Sequence, residues 1–179
     1  MLLNLSNVMM HEGMTFEQKV NPDMTNFRYY GVAYPIVNCS SLNLSAVNLK
    51  KGLARLTGNM VITFLLSCDR CLTDMEETIQ VEFEKDICGP SFVSENADED
   101  KLYEMDDNFM EGYNLNIEHL IYSEIIVKWP IKILCMEECK GICKICGQNL
   151  NEGTCTCDDF VPDPRLASIK DIFNANKEV

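Results

Sequence analysis

Eight of the ten cysteines in this 179-residue chain fall into four close pairs, and this pattern limits the fold more than any other feature. A C-x-x-C turn points two thiolates at one centre, and Zn²⁺ prefers four such soft ligands arranged as a tetrahedron. Two pairs complete one site of this kind. The sequence therefore predicts two four-thiolate zinc sites, built from the pairs Cys68/Cys71, Cys135/Cys139, Cys143/Cys146 and Cys155/Cys157.

The first predicted site closes locally. It joins the third pair to the fourth, because Cys155 follows Cys146 by only nine residues. Gly147 suits a tight turn after a ligand pair, and the connecting loop contains Asn149, Asn151 and Gly153. This spacing is typical of a zinc knuckle. The predicted ligands of the first site are Cys143, Cys146, Cys155 and Cys157.

The second predicted site joins distant parts of the chain. Its ligands are Cys68, Cys71, Cys135 and Cys139, and a metal there ties the β-sheet to the segment after the helix. Cys139 lies only four residues before the first site, so a different division of the pairs stays open. The remaining two cysteines have no close neighbours and are interpreted as buried or incidental thiols.

Three other interpretations of the cysteines stay open. Disulfides need an oxidising compartment, and the apolar residues 1–10 lack the basic region of a signal peptide, so a cytoplasmic location is expected. The Cys68/Cys71 pair can act as a redox pair, and an iron–sulfur cluster uses the same thiolate ligands. Zinc held by four thiolates has no open position for a substrate. We therefore expect no enzyme activity and no small-molecule substrate.

The fold prediction is α+β, with a β-rich antiparallel sheet or partial barrel, a central helix, a zinc-knuckle segment and a short C-terminal helix. Strands are predicted over residues 1–8, 27–37, 52–66 and 78–87; in the last, apolar and polar residues alternate, which is typical of a half-buried strand. A core domain is predicted over residues 1–130 and a cysteine-rich segment over residues 131–179. No apolar run approaches the roughly 20 residues that span a membrane.

The spacing of apolar residues predicts a helix over residues 116–129, which ends before Pro130. A second short helix is predicted after Asp163, because Asp caps helices and Pro164 suits the first helical position. Residues 94–111 contain eight acidic residues and one lysine, and they predict a solvated loop.

One ion pair is predicted between the helix and the first cysteine turn. Glu124 falls on the apolar side of the predicted helix, and Arg70 lies between two predicted ligands. A pair between Arg70 and Glu124 would dock the helix onto that turn, and breaking a buried pair costs about 3 to 5 kcal/mol.

Three signatures occur in a fixed order: C-D-R-C-L from Cys68, S-E-I-I-V-K-W-P from Ser123, and C-K-G-I-C-K-I-C-G-Q-N-L-N from Cys139, followed by C-T-C and D-P-R. Together they resemble the YceD family of bacterial and plastid proteins over residues 44–173. That family is linked to accumulation of large-subunit ribosomal RNA, and its genes often adjoin one for a large-subunit ribosomal protein. The resemblance implies a role in ribosome assembly and no known reaction.

The formal net charge of −13 narrows the partners that this resemblance implies. Two tetrathiolate zinc sites would make it −13 − 8 + 4 = −17, which favours a basic partner and opposes broad nucleic-acid binding. A ribosomal protein or a precursor of the large subunit is therefore the preferred partner. The alternative is direct contact with rRNA through a local basic group, which can equally compensate the thiolate charge: Lys128, Lys132, Lys140 and Lys144.

Overall fold

The computed structural model describes residues 1–90 and 109–157, which fall into two compact units. The first unit comprises Met1–Ser67 and Asp74–Ile133, and the second comprises Cys68–Thr73 and the chain from Leu134 onward. The C-terminal helix predicted after Asp163 and residues 94–108 of the predicted acidic loop lie outside the described residues. Within the described ranges, no helix is long and apolar enough to cross a membrane.

The described part of the first unit is mainly β-structure with two helices. In chain order its elements are β1 (Leu2–Asn4), α1 (Ser6–Met10), β2 (Thr15–Val20), β3 (Asn26–Tyr29), β4 (Val32–Cys39), β5 (Leu42–Lys50), β6 (Leu53–Ser67), β7 (Asp74–Cys88), β8 (Met110–Glu111), β9 (Asn114–Asn116) and α2 (Ile117–Lys128).

The larger sheet is built around β6. Its order is β2-β5-β6-β4-β3, and β7 pairs with β6 along the entire length of both strands. β5 pairs with the first half of β6, and β4 pairs with the second half. A smaller sheet has the order β1-β9-β8. All pairings are antiparallel, which confirms the β-rich antiparallel prediction, and both sheets are open rather than closed into a barrel.

Alternation of apolar and polar residues produces the buried face of this sheet. On β7, the predicted inward positions Ile79, Val81 and Phe83 are buried, and the positions between them are exposed. Gly58 pairs with Phe83 across the two strands. A Cβ atom at Gly58 would lie 2.3 Å from Phe83 Cζ, so only glycine leaves room for this ring. Local composition thus sets how β6 and β7 pack.

Helix α2 agrees with its prediction to within one residue at each end. Asn116 caps the helix, because its side chain accepts a hydrogen bond from the backbone N–H of His119 at 3.2 Å. The helix ends at Lys128, before the Trp129-Pro130 step. Its last residues are anchored by Trp129, whose ring centroid lies 4.9 Å from that of Phe27. The buried face consists of Ile117, Leu120, Ile121, Glu124 and Ile125.

Glu124 has a partner other than the predicted one. Its carboxylate forms an ion pair with Lys85 of β7, with 2.7 Å between Nζ and Oε1, and the Glu124 side chain is 5% exposed. The Lys85 ammonium also lies 5.5 Å from the centre of the Phe109 ring. This ion pair therefore links α2 to β7, because both side chains lie on the buried side of the sheet.

Two of the predicted strands differ from the structure. The strand predicted over residues 1–8 ends at Asn4, and α1 follows because Val8 and Met9 enter the core while Asn48 donates hydrogen bonds to their carbonyls. The strand predicted over residues 27–37 is a hairpin of β3 and β4. Its turn is formed by Tyr30 and Gly31, with φ values of 47° and 81°. Strands β2 and β5 were not predicted.

Candidate metal centres

Eight cysteines of the second unit form two groups that can each hold a metal ion. Within each group, all four Sγ atoms lie within 4.8 Å of one another. The long-range cluster is defined by Cys68, Cys71, Cys135 and Cys139. The local cluster is defined by Cys143, Cys146, Cys155 and Cys157. The structure brings together the same sets of cysteines that the sequence pattern grouped.

A tight backbone turn presents the first two thiols of the long-range cluster. The N–H of Leu72 donates to the carbonyl of Cys68, and the N–H of Cys68 donates to the carbonyl of Thr73, both at 2.9 Å. Leu72 has a φ of 60°, a left-handed conformation that lets the chain reverse directly after Cys71. Both sulfurs therefore end on the same side of the turn.

Arg70 joins this turn to the segment that carries Cys139. Its guanidinium Nη1 donates to the carbonyl of Cys139 at 2.8 Å, and its own carbonyl accepts from the N–H of Ile142 at 3.1 Å. Gly141, with a φ of 79°, allows this approach, since a Cβ there would lie 3.0 Å from the Arg70 carbonyl oxygen. Arg70 thus positions two cysteine-bearing segments of the same unit, and this role replaces the predicted pairing with Glu124.

The sulfur spacing of the long-range cluster fits a single tetrahedral ion. Sγ of Cys68 lies 3.8 Å from Sγ of Cys139, and Sγ of Cys71 lies 3.4 Å from Sγ of Cys135. Four sulfurs at zinc-ligand distance from one centre are about 3.8 Å apart. All these thiols are free rather than joined as disulfides. A cluster of several iron atoms would insert bridging sulfides between the thiolates and need a wider opening, so the geometry favours one ion.

The local cluster is built on a short hairpin. Ile142 and Asn149 form an isolated antiparallel bridge. Within the turn, the N–H of Gly147 donates to the carbonyl of Cys143 at 2.9 Å, and the N–H of Ile145 points at Cys143 Sγ from 3.4 Å. Gly147 has a φ of 75°, which closes the turn with little strain. These contacts are those expected of the predicted knuckle.

Hydrogen bonds lower the pKa of two thiols in the long-range cluster and raise the pKa of a third. A backbone hydrogen bond from Cys71 lowers the pKa of Cys68 to about 6. A hydrogen bond with the Thr73 side chain lowers the pKa of Cys71. By contrast, a hydrogen bond with Cys71 raises the pKa of Cys135 to about 12. Neighbouring thiolates repel one another, so a metal-free cluster keeps some of its protons.

In the local cluster, too, one thiol has a lowered pKa and another a raised pKa. A backbone hydrogen bond from Cys146 lowers the pKa of Cys143 to about 7, and a hydrogen bond with Cys146 raises the pKa of Cys157 to about 12. A dication held by four thiolates would offset this repulsion and would displace the remaining protons. Both clusters therefore have the chemistry of a cation site with soft donors.

The predicted basic group is divided between the two units. Lys128 and Lys132 belong to the first unit, and Lys140 and Lys144 belong to the second. Lys128 is half-buried, and the other three lysines are exposed. Outside the clusters, Cys88 is buried and Cys39 is half-buried, and burial raises the pKa of Cys39. Their burial is consistent with the interpretation of Cys39 and Cys88 as buried or incidental thiols.

Two residues around the clusters were not predicted to take part. Asn151 donates a hydrogen bond from Nδ2 to Cys139 Sγ at 3.2 Å, and the Thr73 hydroxyl lies 3.3 Å from Cys71 Sγ. Metal-binding side chains usually depend on such partners to fix their orientation and charge. The sequence predicts that Asn151 lies in the knuckle loop of the local cluster. Its contact with Cys139 of the long-range cluster is seen only in the structure.

Comparison with known protein families identifies the family of this chain. A family model described as "Large ribosomal RNA subunit accumulation protein YceD" matches residues 56–173. No curated protein and no solved structure matches the chain. The matched region includes all eight clustered cysteines and covers well over half of the chain. The chain therefore belongs to the YceD family, which is linked to accumulation of large-subunit ribosomal RNA.

Proposed function

We propose that this chain is a non-catalytic zinc protein that supports large-subunit rRNA accumulation by binding a ribosomal protein or a precursor subunit. One observation carries the proposal. This chain belongs to an rRNA-accumulation family, and eight of its cysteines form two groups of four whose sulfurs are close enough to bind one tetrahedral ion each. The clusters stabilise the second unit, and the protein acts through binding. The division into a core domain over residues 1–130 and a cysteine-rich segment over residues 131–179 stays part of this proposal.

Zinc is the metal that the donor set favours. Four thiolates around one ion select soft or borderline metals over Mg²⁺ and Ca²⁺, and Zn²⁺ takes this arrangement in structural sites. Each thiolate set fills all four positions of a tetrahedral ion. No position is left for water or substrate, which supports a structural role rather than catalysis. Eight cysteines that are not joined as disulfides fit a cytoplasmic protein, because disulfides form mainly in oxidising compartments.

A basic partner fits the charge of the chain. The outward face of β7 carries five exposed carboxylates, at Asp74, Glu76, Glu82, Glu84 and Asp86. Arg55 engages only the last two, at 3.1 Å and 2.7 Å. Together with the net charge of −13, this strand favours encounter with a basic protein. Many ribosomal proteins have that character, so they are the preferred partner class.

Metal content tests the first half of the proposal. Protein purified without added zinc should contain two zinc ions per chain by elemental analysis, with eight thiols protected until a chelator is added. One ion per chain would restrict the structural role to one cluster. Iron in place of zinc would appear as visible absorbance. Absence of metal with freely reactive thiols would contradict the proposal.

Association with the ribosome tests the second half. The metal-loaded protein should co-sediment with precursors of the large subunit and bind at least one basic large-subunit protein. Charge reversal at Glu76 and Glu82 should weaken that binding and reduce its salt dependence. A matched control is the neutral exposed neighbour Gln80, changed to Ala. Binding that is unchanged after reversal of both charges would contradict a role for the outward face of β7 in partner binding.

Direct contact with rRNA is a second candidate, because Tyr30 is 90% exposed at the tip of the β3–β4 hairpin. An exposed ring can stack on an unpaired base, and Arg28, Lys128 and Lys132 of the same unit can contact phosphates. Changing Tyr30 to Ala should then weaken binding of single-stranded rRNA fragments about 10-fold, whereas Phe should retain it. Equal binding by all three proteins would exclude this role for Tyr30.

A further inference from the structure

We infer that Asn151 couples the two cysteine clusters, so that metal in the local cluster strengthens metal binding by the long-range cluster. The inference rests on the proposed function, because it requires metal in both clusters. It adds a positioning residue that contributes no ligand atom, together with a coupling between the two metal sites. Asn151 lies in the loop between the two ligand pairs of the local cluster, yet its side chain contacts a sulfur of the long-range cluster.

The amide of Asn151 contacts a buried ligand sulfur of the long-range cluster. Asn151 Nδ2 lies 3.2 Å from Cys139 Sγ, and Cys139 is only 3% exposed. Sγ of Cys139 is also 3.8 Å from Sγ of Cys68. An amide N–H donated to a buried thiolate disperses its charge where water cannot, so losing the donor penalises the metal-bound state.

The surrounding hydrogen bonds fix the orientation of the Asn151 amide. Its Oδ1 accepts from the backbone N–H of Lys140 at 2.8 Å, and a backbone N–H can only donate. The oxygen must therefore face Lys140, which leaves Nδ2 to face the sulfur. The backbone N–H and Nδ2 of Asn151 both donate to Asn149 Oδ1 at 3.0 Å. These hydrogen bonds thus point the donor at Cys139.

Asn149 supplies a second connection between the clusters. It forms the bridge of the knuckle hairpin with Ile142. Its Nδ2 donates to Glu152 at 3.0 Å and lies 3.4 Å from the Thr73 hydroxyl, which in turn contacts Cys71 Sγ. One sulfur of the long-range cluster therefore contacts the knuckle loop directly, and a second contacts it through the Thr73 hydroxyl.

A metal ion in the local cluster would order the knuckle loop that carries Asn149 and Asn151. A metal held by its two cysteine pairs closes the chain on both sides of Asn151, and the entropy of fixing the loop is then already lost when the second metal binds. Coupling of this kind is reciprocal, so metal in the long-range cluster strengthens the local cluster by the same factor. Typical couplings between sites are about 5-fold to 150-fold in affinity.

A double-mutant cycle on the full chain tests the coupling. Zn²⁺ affinity of the long-range cluster is measured by competition with a chromophoric chelator, and Co²⁺ absorbance counts the thiolates bound. One background keeps the local cluster intact, and the other removes it with Cys143→Ser and Cys146→Ser. In the intact background, Asn151→Ala should weaken the long-range cluster about 10-fold. In the other background, affinity should already be low, and Asn151→Ala should add little.

Two further variants sharpen the result. Asn151→Asp places an acceptor and a charge beside the thiolate and should weaken binding more than Ala does. Gln148→Ala is the matched control, since its exposed side chain makes no hydrogen bond within the described residues and should leave affinity unchanged. The fluorescence of Trp129, the only tryptophan, reports whether each variant retains the folded first unit.

The outcomes separate this inference from the proposed function. Two metals per chain with unchanged affinity in Asn151→Ala would overturn the inference and leave the function standing. An equal loss in both backgrounds would also overturn it, because Asn151 would then act on Cys139 without coupling. Failure of the unaltered chain to bind metal would overturn the proposed function and the inference with it.

Discussion

The two clusters have the same four donors but depend on the chain in different ways. Three of the four cysteines in the long-range cluster are buried, whereas the local cluster has one buried and one exposed cysteine. In the former, 64 residues separate Cys71 from Cys135; in the latter, nine residues separate Cys146 from Cys155. Closing the longer loop costs an unfolded chain about 2 kcal/mol more. The same set of four thiols therefore depends on the fold in the long-range cluster and on local turns in the local cluster.

The largest difference should appear when one ligand of each cluster is removed. Cys68→Ser removes a fully buried thiol and should lower the free energy of unfolding by about 4 kcal/mol through loss of its metal. Cys146→Ser removes an exposed thiol and should cost less. Urea unfolding with elemental analysis of each variant measures both effects. Equal costs would remove the distinction between the clusters.

Urea should also separate the clusters in the unaltered protein. When the sheet unfolds, the cysteines of the long-range cluster are no longer held together, and its zinc affinity should fall about 100-fold or more. The local cluster should keep its metal to higher urea. Chelator absorbance followed together with Trp129 fluorescence tests this, with one metal released at the fluorescence midpoint and the other later. Release of both ions together would contradict the comparison.

A change within the sheet should act on one cluster only. Gly58→Ala drives a methyl group into the Phe83 ring and should destabilise the sheet by about 1 to 3 kcal/mol. The midpoint for release of the long-range metal should fall accordingly, while the local midpoint stays in place. Gln80→Ala, at an exposed position of β7, is the control. A shift of the local midpoint would show that the local cluster also depends on the sheet.

The smallest effect concerns the surface pair Arg55–Asp86, which neither cluster needs. Hydrogen bonding to Arg55 lowers the pKa of Asp86, so the pair stabilises the fold above the ordinary pKa of Asp and loses this contribution as the pH falls through the lowered value. Because both side chains are about 40% exposed, Asp86→Asn should cost only about 0.5 kcal/mol at neutral pH. The difference from the parent should vanish in acid, with metal content unchanged. A larger cost, or lost metal, would refute this.

Some structural features could be read from local pattern alone. Helix α2 was predicted within one residue at each end, because Asn116 and Pro130 supply start and stop signals that act locally. Strand β7 was recognised from its alternation. By contrast, α1 was missed, since five residues carry too little periodicity, and the helix depends on hydrogen bonds from Asn48 on a distant strand.

The partner of Glu124 shows a signal that was present but not used. Lys85 occupies the same side of β7 as Val81, Phe83 and Ile87, so the alternation places a cation on the buried face. Glu124 is the acid on the buried face of α2. These two patterns make Lys85 a candidate partner of Glu124, whereas the position of Arg70 in the cysteine motif pointed to a different pair. Its actual partner is a backbone carbonyl, which no side-chain pattern reveals.

The sequence by itself determined the chemistry of this protein: eight thiols in four close pairs, the acidic balance and the helix that ends at Lys128. Those properties depend on residue type and on neighbours a few positions apart. Only the tertiary structure decided that Cys68 and Cys139 meet, that Lys85 pairs with Glu124 and that Asn151 donates to a sulfur of the other cluster. Such contacts arise from packing between separate segments of the chain, where spacing along the sequence does not fix which side chains meet.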